Sequence, residues 1–174
     1  PYGATKAFAF SLGRMYRERF DLAISTAVLY NHESPRRPDS FVSRKITRAA
    51  AEISVGSRRE LRLGNLDAVR DWSFAGDVAE GLALMAEAEI GADYVLASGQ
   101  ARTVGDLLAA AFGHVGLDWR DHVVEDPEFK RPAESHVLCG NPGKAERELG
   151  WRRTQTFEDM IGEMVDHDLA RLRS

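Results

Sequence analysis

The sequence predicts an α/β fold built on an open, parallel sheet, and three consecutive stretches carry that reading. Residues 2–20 carry a helical apolar stripe at Phe8, Leu12, Met15 and Tyr16. Leu22 to Tyr30 follows as an apolar, β-branched run, the pattern of a strand buried in a parallel sheet. Asn31-His32-Glu33-Ser34-Pro35-Arg36-Arg37-Pro38 comes next and holds an amide, an imidazole, a carboxylate and two guanidiniums. Its two prolines restrict the backbone. In open α/β sheets ligands sit beyond the carboxyl ends of strands, and this stretch leaves such an end. We read it as a site loop that meets anionic groups. An exposed charged connection is the competing reading on composition alone.

The first helix also carries a spacing with chemical meaning. Tyr2 and Lys6 are four apart and share a helix face. An ammonium beside a phenol favours the phenolate, and such a tyrosine can exchange a proton with a substrate hydroxyl near neutral pH. Alone the spacing is weak, because it arises often by chance and more often marks an exposed helix pair.

A second helix is expected from Phe41 to about Val55, with Phe41, Val42, Ile46 and Ala49 or Ala50 inward and Gly56 as its stop. Arg44, Lys45 and Arg48 give it a basic side. Glu60 to Gly64 alternates as a short strand, Asn65 to Val69 turns, and Arg70 to Phe74 extends again. Arg70 offers a fork of donors suited to phosphate, or a salt bridge to Asp71 or another carboxylate. Asp77 opens a helix to about Glu87 with Val78, Leu82 and Met85 in its stripe. Tyr94 to Ser98 reads as a strand closed by Gly99. Thr103 and Asp106 form a capping box for a helix to about Phe112. Val123 and Val124 are extended, and Arg131-Pro132-Ala133-Glu134 sets a guanidinium and a carboxylate on a stiff turn. Pro142 to Leu149 is a short helix stopped by Gly150, with Trp151 packing after it. Thr156 caps a last helix with Phe157, Ile161, Met164, Val165 and Leu169 inward and a solvated charged face.

The bulk numbers exclude several classes. The chain has 174 residues, enough for one sizeable core or part of a larger protein. A net charge of −4 argues against a general nucleic-acid binder. No apolar run approaches the ~20 residues of a membrane span. One cysteine, Cys139, rules out an internal disulfide and suits a reducing, cytoplasmic setting; we expect a small buried thiol. The histidines, His32, His114, His122, His136 and His167, show no metal-ligand spacing, so no metal site is expected, and His114 and His167 read as helix-surface residues. The chain opens on Pro1 with chemically loaded residues at positions 2 and 6, which leads us to expect the C-terminal part of a longer protein.

Taken in series, these motifs resemble the extended short-chain dehydrogenase/reductase family and, more narrowly, the C-terminal half of the GDP-mannose 4,6-dehydratase family. The residues that carry the resemblance are Pro1 to Lys6, Asn31 to Arg37, Phe41 to Arg48, Leu63 to Asp67, Arg70 to Trp72 and Arg131 to Glu134. Tyr-x-x-x-Lys specifies only the superfamily; the Asn-His-Glu-Ser-Pro-Arg-Arg loop is far more specific. The fold implied is the C-terminal part of an NAD(P)-binding Rossmann-like fold plus a smaller mixed α/β substrate-binding subdomain. Residues 1–38 would end the Rossmann-like domain. Residues 39–174 would form mainly the nucleotide-sugar subdomain, with some segments returning to the Rossmann sheet.

The resemblance also implies roles. Tyr2 matches the catalytic tyrosine that takes the proton from the sugar 4-hydroxyl. Lys6 matches the lysine that holds the nicotinamide ribose and lowers that tyrosine's pKa. His32 and Arg37 match NADP contacts. Asn31 matches a contact to the nucleotide-sugar diphosphate, Lys45, Arg70 and Arg131 match basic residues around GDP-mannose, and Glu134 matches the carboxylate on the guanosine ribose. Gly64 and Asn65 fall where the family lines the guanosine pocket. The implied reaction is an internal redox cycle: hydride leaves C4 for the cofactor, water is lost across C5 and C6, and hydride returns to C6. The product is GDP-4-keto-6-deoxymannose, so the enzyme is a lyase of the GDP-fucose and deoxyhexose pathway, a homo-oligomer of two or four chains. The glycine-rich dinucleotide loop, the catalytic threonine or serine and the C5-base glutamate are not in this chain, so these residues alone should bind NADP poorly and turn nothing over. Thr5, usually serine in the family, and Pro38, often glycine, are departures. Another nucleotide-sugar epimerase or reductase of the superfamily, or a non-catalytic nucleotide-binding fragment, are the alternatives.

Overall fold

The computed structural model describes residues 1–129 and 137–173. Helix α1 (Tyr2–Phe20) leads through a left-handed Asp21 (φ 51°) into strand β1 (Thr26–Leu29). Arg17 donates to the Ile24 carbonyl at 3.1 Å and to Asp93 at 2.8 Å, and Gly13 lies against the Ile24 and Thr26 side chains. These contacts make α1 run back antiparallel along β1. The N-terminal turn of α1 therefore lies toward the carboxyl end of that strand, since ~1.5 Å of rise per helical residue over four turns matches the reach of the strand and its extension.

Strand β1 pairs in parallel with β5 (Asp93–Leu96), in register Thr26 to Asp93 through Leu29 to Leu96. After Tyr30 the chain changes partner. Strand β2 (Asn31–Glu33) pairs in parallel with β4 (Val69–Phe74), Asn31 opposite Trp72 and Glu33 opposite Phe74. Strand β6 (Ala101–Thr103) joins β4 antiparallel, and β3 (Leu61–Leu63) pairs in parallel with β7 (Val123–Glu125). The polypeptide thus forks from one sheet to another at Tyr30, a place where open α/β sheets leave a crevice.

Helices cover these sheets. Helix α2 (Val42–Ser54) packs on α6 (Phe157–Arg173) and α4 (Val104–His114) around Ile46, Leu107, Phe112, Ile161 and Met164. Ala49, Ala50 and Ala51 are all fully buried, so α2 is enclosed on most of its circumference and its neighbours approach closely. A second apolar cluster joins Val78 and Met85 of α3 (Ala75–Glu87), Tyr94 and Leu96 of β5, Ala145 of α5 (Gly143–Glu148) and Trp151. The Trp151 indole donates to the Asp77 carbonyl at 2.7 Å, and the Asp77 carboxylate accepts from the Thr154 amide and hydroxyl. The capping boxes at Thr103–Asp106 and Thr156–Asp159 are both formed. Gly56 (φ 77°) and Gly150 (φ 67°) take the left-handed conformation at the stops expected of them.

Several expectations need correction. The apolar run 22–30 forms a strand only at Thr26–Leu29, and Leu22, Val28 and Leu29 are exposed. Strand β1 has β5 along one edge, and among the described residues no strand pairs its other edge. The stripe of α1 is likewise open: that helix buries none of its residues. Leu82 is exposed, and Gly81 takes the inward place against Leu96 and Trp151. Phe41 points outward. Arg44 is buried because α2 is enclosed, so the basic side of that helix is Lys45 and Arg48. Asp168 is buried although the charged face of α6 was expected in water. Cys139 is exposed, its thiol 3.7 Å from Asp71, where burial and the neighbouring carboxylate both push its pKa up.

Candidate functional site

The site loop begins as strand β2 and ends as a turn tied to α2. The Arg37 amide donates to the Ser34 carbonyl at 2.9 Å and the Arg36 amide to the Ser34 hydroxyl at 3.2 Å, so Pro35 and Arg36 form a closed turn. Glu33 is almost fully buried, 1% exposed, and its Oε2 accepts a 2.6 Å hydrogen bond from the Ser43 hydroxyl. The same oxygen lies 3.3 Å from Arg37 Nε, an ion pair whose angle falls short of a hydrogen bond. Burial pushes the Glu33 carboxyl up, while Ser43, Arg37 and His32 pull it down. The Arg37 guanidinium stacks on the Phe41 ring, 3.6 Å from its centroid, which explains why Phe41 faces outward.

Arg44, next to Ser43, donates from Nε to the Arg37 carbonyl at 3.2 Å. Both of its terminal nitrogens meet Asp168 of α6, one at 2.7 Å, and Thr47 adds its hydroxyl. The loop is therefore fixed through its backbone at Arg37 and through its side chains at Glu33. This is a held loop, not a solvated connection.

His32 places Nδ1 3.0 Å from the Tyr30 carbonyl. A carbonyl only accepts, so in this contact Nδ1 carries the hydrogen. Asn31 and His32 are half-buried at the fork. Tyr2 and Lys6 sit on one face of α1 as expected, with Lys6 Nζ 5.3 Å from the Tyr2 ring centroid and Tyr2 exposed. Lys45 is exposed on the first turn of α2. Gly64 and Asn65 follow β3, and the Asn65 side chain accepts from the Asp67 amide in an Asx turn. Arg70 lies on β4 opposite Arg102, two residues before the Trp72 that pairs with Asn31, and donates to the Val69 carbonyl at 2.7 Å. The structure thus joins Asn31, His32, Arg37 and Arg70 on two paired strands and their loop. Arg131 and Glu134 lie outside the described residues. Among the described residues no cluster of His, Cys, Asp or Glu could hold a metal ion.

Sequence reasoning missed the floor of the fork. Asp71 is buried and accepts from the amides of Ser98 at 2.7 Å, Gly99 at 3.0 Å and Gly140 at 3.0 Å. Gly140 packs so tightly on Ala97 and the Tyr30 ring that a β-carbon there would clash. The signal was an acidic residue between the strand residues Arg70 and Trp72, since such a group stays buried only when donors surround it.

The family model for GDP-mannose 4,6 dehydratase matches residues 1–164.

The chain belongs to the GDP-mannose 4,6 dehydratase family.

Among curated members, it is 46% identical over 169 residues to GDP-mannose 4,6 dehydratase 1 of Arabidopsis thaliana, covering 97% of this chain and 47% of that one. The Sinorhizobium fredii GDP-mannose 4,6-dehydratase is 40% identical, with 99% and 54% covered, and the Homo sapiens protein 35%, with 100% and 51%. The chain spans about half the length of the family members it matches. Among solved structures, RMD from Pseudomonas aeruginosa complexed with NADPH superposes with a TM-score of 0.87 at 24% identity, covering 98% of this chain and 56% of that one. The UDP-glucose 4-epimerase of Thermus thermophilus, in complex with NAD, gives 0.79 at 26%, covering 97% and 53%. The fold is thus the Rossmann-like α/β fold expected from the sequence.

Proposed function

We propose that this chain is the substrate-binding half of an NADP-dependent GDP-mannose 4,6-dehydratase, a lyase that converts GDP-mannose to GDP-4-keto-6-deoxymannose. Two facts coincide in support: the family match spans residues 1–164, and inside it the Asn31–Pro38 loop is built as a rigid site at a sheet fork. We assign residues 1–38 to the end of the cofactor-binding domain and most of 39–174 to the nucleotide-sugar subdomain. The separate cluster of Val78, Tyr94, Leu96 and Trp151 supports a return of 75–97 and 142–151 to the first domain.

The donors present fit one end of a dinucleotide. Tyr2, Lys6, His32 and Arg37 supply a phenol, an ammonium, an imidazole nitrogen and a guanidinium, which suits a nicotinamide ribose and a phosphate. When bound, the nicotinamide supplies a reversible hydride acceptor. This chain's residues supply part of the remaining machinery. Tyr2 takes the proton from the sugar 4-hydroxyl, and Lys6 holds the nicotinamide ribose. Asn31 contacts the nucleotide-sugar diphosphate, and Lys45, Arg70 and Arg131 surround GDP-mannose with positive charge, where charge-assisted hydrogen bonds are strong. Glu134 binds the guanosine ribose, and Gly64 and Asn65 line the base pocket. The exposed apolar residues of α1, among them Phe8 and Phe20, suit burial against the rest of a longer chain or in a homo-oligomer of two or four chains. The absence of a helix long and apolar enough to cross a membrane among the described residues is compatible with a cytoplasmic enzyme.

Calorimetric titration with GDP and with UDP tests the substrate assignment. GDP is expected to bind with at least tenfold preference, about 1.4 kcal/mol. Preference for UDP would overturn it in favour of a nucleotide-sugar epimerase.

A further inference from the structure

The reaction described above gives Glu33 no role, yet Glu33 is the most deeply buried group of the site loop. A buried carboxylate costs stability unless its surroundings repay it, and an apolar residue of similar volume would be cheaper at such a place. The observations show what the carboxylate does. Its Oε2 is shared between the Ser43 hydroxyl at 2.6 Å and Arg37 Nε at 3.3 Å. Arg37 is four residues on, across the Ser34–Arg37 turn, with its ring-facing side on Phe41. Ser43 and Phe41 both belong to the start of α2, so the carboxylate, the guanidinium and that helix terminus form one unit.

We propose that Glu33 is a positioning residue for Arg37, holding its guanidinium in one orientation on Phe41 so that it presents to the cofactor phosphate. The step from Arg37 to the cofactor rests on the function proposed above; the step from Glu33 to Arg37 does not. Glu33 acts by charge, with Ser43 fixing which oxygen faces the arginine. Glu33→Gln keeps shape and an acceptor for Ser43 but loses the charge that Arg37 needs.

The first test is made on this chain. The Nε–Hε signal of Arg37, assigned by its loss in Arg37→Lys, is followed by ¹⁵N relaxation. In the native chain Arg37 should be as rigid as the backbone, and in Glu33→Gln as mobile as the exposed Arg14, with core amide signals unmoved. Ser43→Ala, a second and milder variant, should loosen Arg37 partway. Arg37 keeping its native rigidity in either variant overturns the proposal, as does Glu33→Gln lowering stability while leaving Arg37 rigid. The second test uses the full-length enzyme. Arg37→Ala and Glu33→Gln should each weaken NADP+ binding about tenfold, with the double variant no worse than either, and should raise KM more than they lower kcat. Weakening by Arg37→Ala but not by Glu33→Gln overturns the positioning role. No weakening by Arg37→Ala overturns the cofactor reading alone, since the relaxation result stands without it.

Discussion

Asp168→Asn should be the most damaging conservative change in the chain. Asp168 is 4% exposed and Arg44 2%, and the two meet through both terminal nitrogens of the arginine. The substitution leaves a charged guanidinium in the core facing a neutral amide in place of its carboxylate, with the Thr47 hydroxyl and the Arg37 carbonyl at 3.3 and 3.2 Å and the exposed Asp39 carboxylate at 3.8 Å as its other partners. Removing one member of a buried pair costs about 3–5 kcal/mol. For a domain of this size each kcal/mol lowers Tm by ~2–4 °C, so a fall of about 6–20 °C is expected. That is a large part of a typical total stability of ~5–15 kcal/mol. Urea unfolding followed by circular dichroism and calorimetry measures it. The double variant Arg44→Met with Asp168→Leu should recover to within about 1 kcal/mol of native, because removing both charges removes the desolvation cost as well. It should still lose the bond to the Arg37 carbonyl, so exchange of the 34–38 amides should rise while Tm returns. A loss under about 1 kcal/mol for Asp168→Asn, or no recovery in the double variant, would refute the reasoning.

Three further outcomes follow from named contacts. Asp71→Asn replaces one of the two oxygens that accept from Ser98, Gly99 and Gly140, and should cost about 1–3 kcal/mol with faster exchange at those three amides in hydrogen-exchange mass spectrometry. Trp151→Ala empties a fully buried site and leaves the Asp77 carbonyl without its indole donor; the expected loss is about 3–5 kcal/mol by denaturant unfolding. The third concerns pH. Burial raises the Glu33 carboxyl above its unfolded value, so between those values the folded chain binds more protons than the unfolded one. The contribution of Glu33 to stability is therefore largest below the unfolded value and falls as pH rises through the folded one. Unfolding curves taken from about pH 4 to pH 7 should show Glu33→Gln gaining on the native chain as pH rises; the opposite trend would mean a lowered carboxyl.

Local chemistry made most of the elements legible. The Thr103–Asp106 box, the glycine stops at 56 and 150 and the alternation at Leu61–Leu63 depend on neighbours in sequence, and the structure holds all of them. What escaped depends on partners far away in the chain. Arg44 reads as surface because arginines usually are, and only Asp168, 124 residues on, makes its burial affordable. Leu82 yields its place to Gly81 because Leu96 and Trp151 press on that side of α3. The split of 21–33 into two strands follows from a change of partner, β5 to β4, that no periodicity records. The candidate site shows the same division. Asn31, His32 and Arg37 were legible as a loop rich in donors, whereas Glu33, Ser43, Asp71 and Gly140, which fix that loop and its floor, were legible only once the fold brought them together.

The most direct test of the account is a mass balance on the full-length enzyme given GDP-mannose and a trace of NADP+. The account predicts a product lighter by one water, formed in large excess over the NADP+ added, with no NADPH accumulating. A product of unchanged mass would mark an epimerase, and NADPH formed in step with product would mark a net dehydrogenase; either would contradict it.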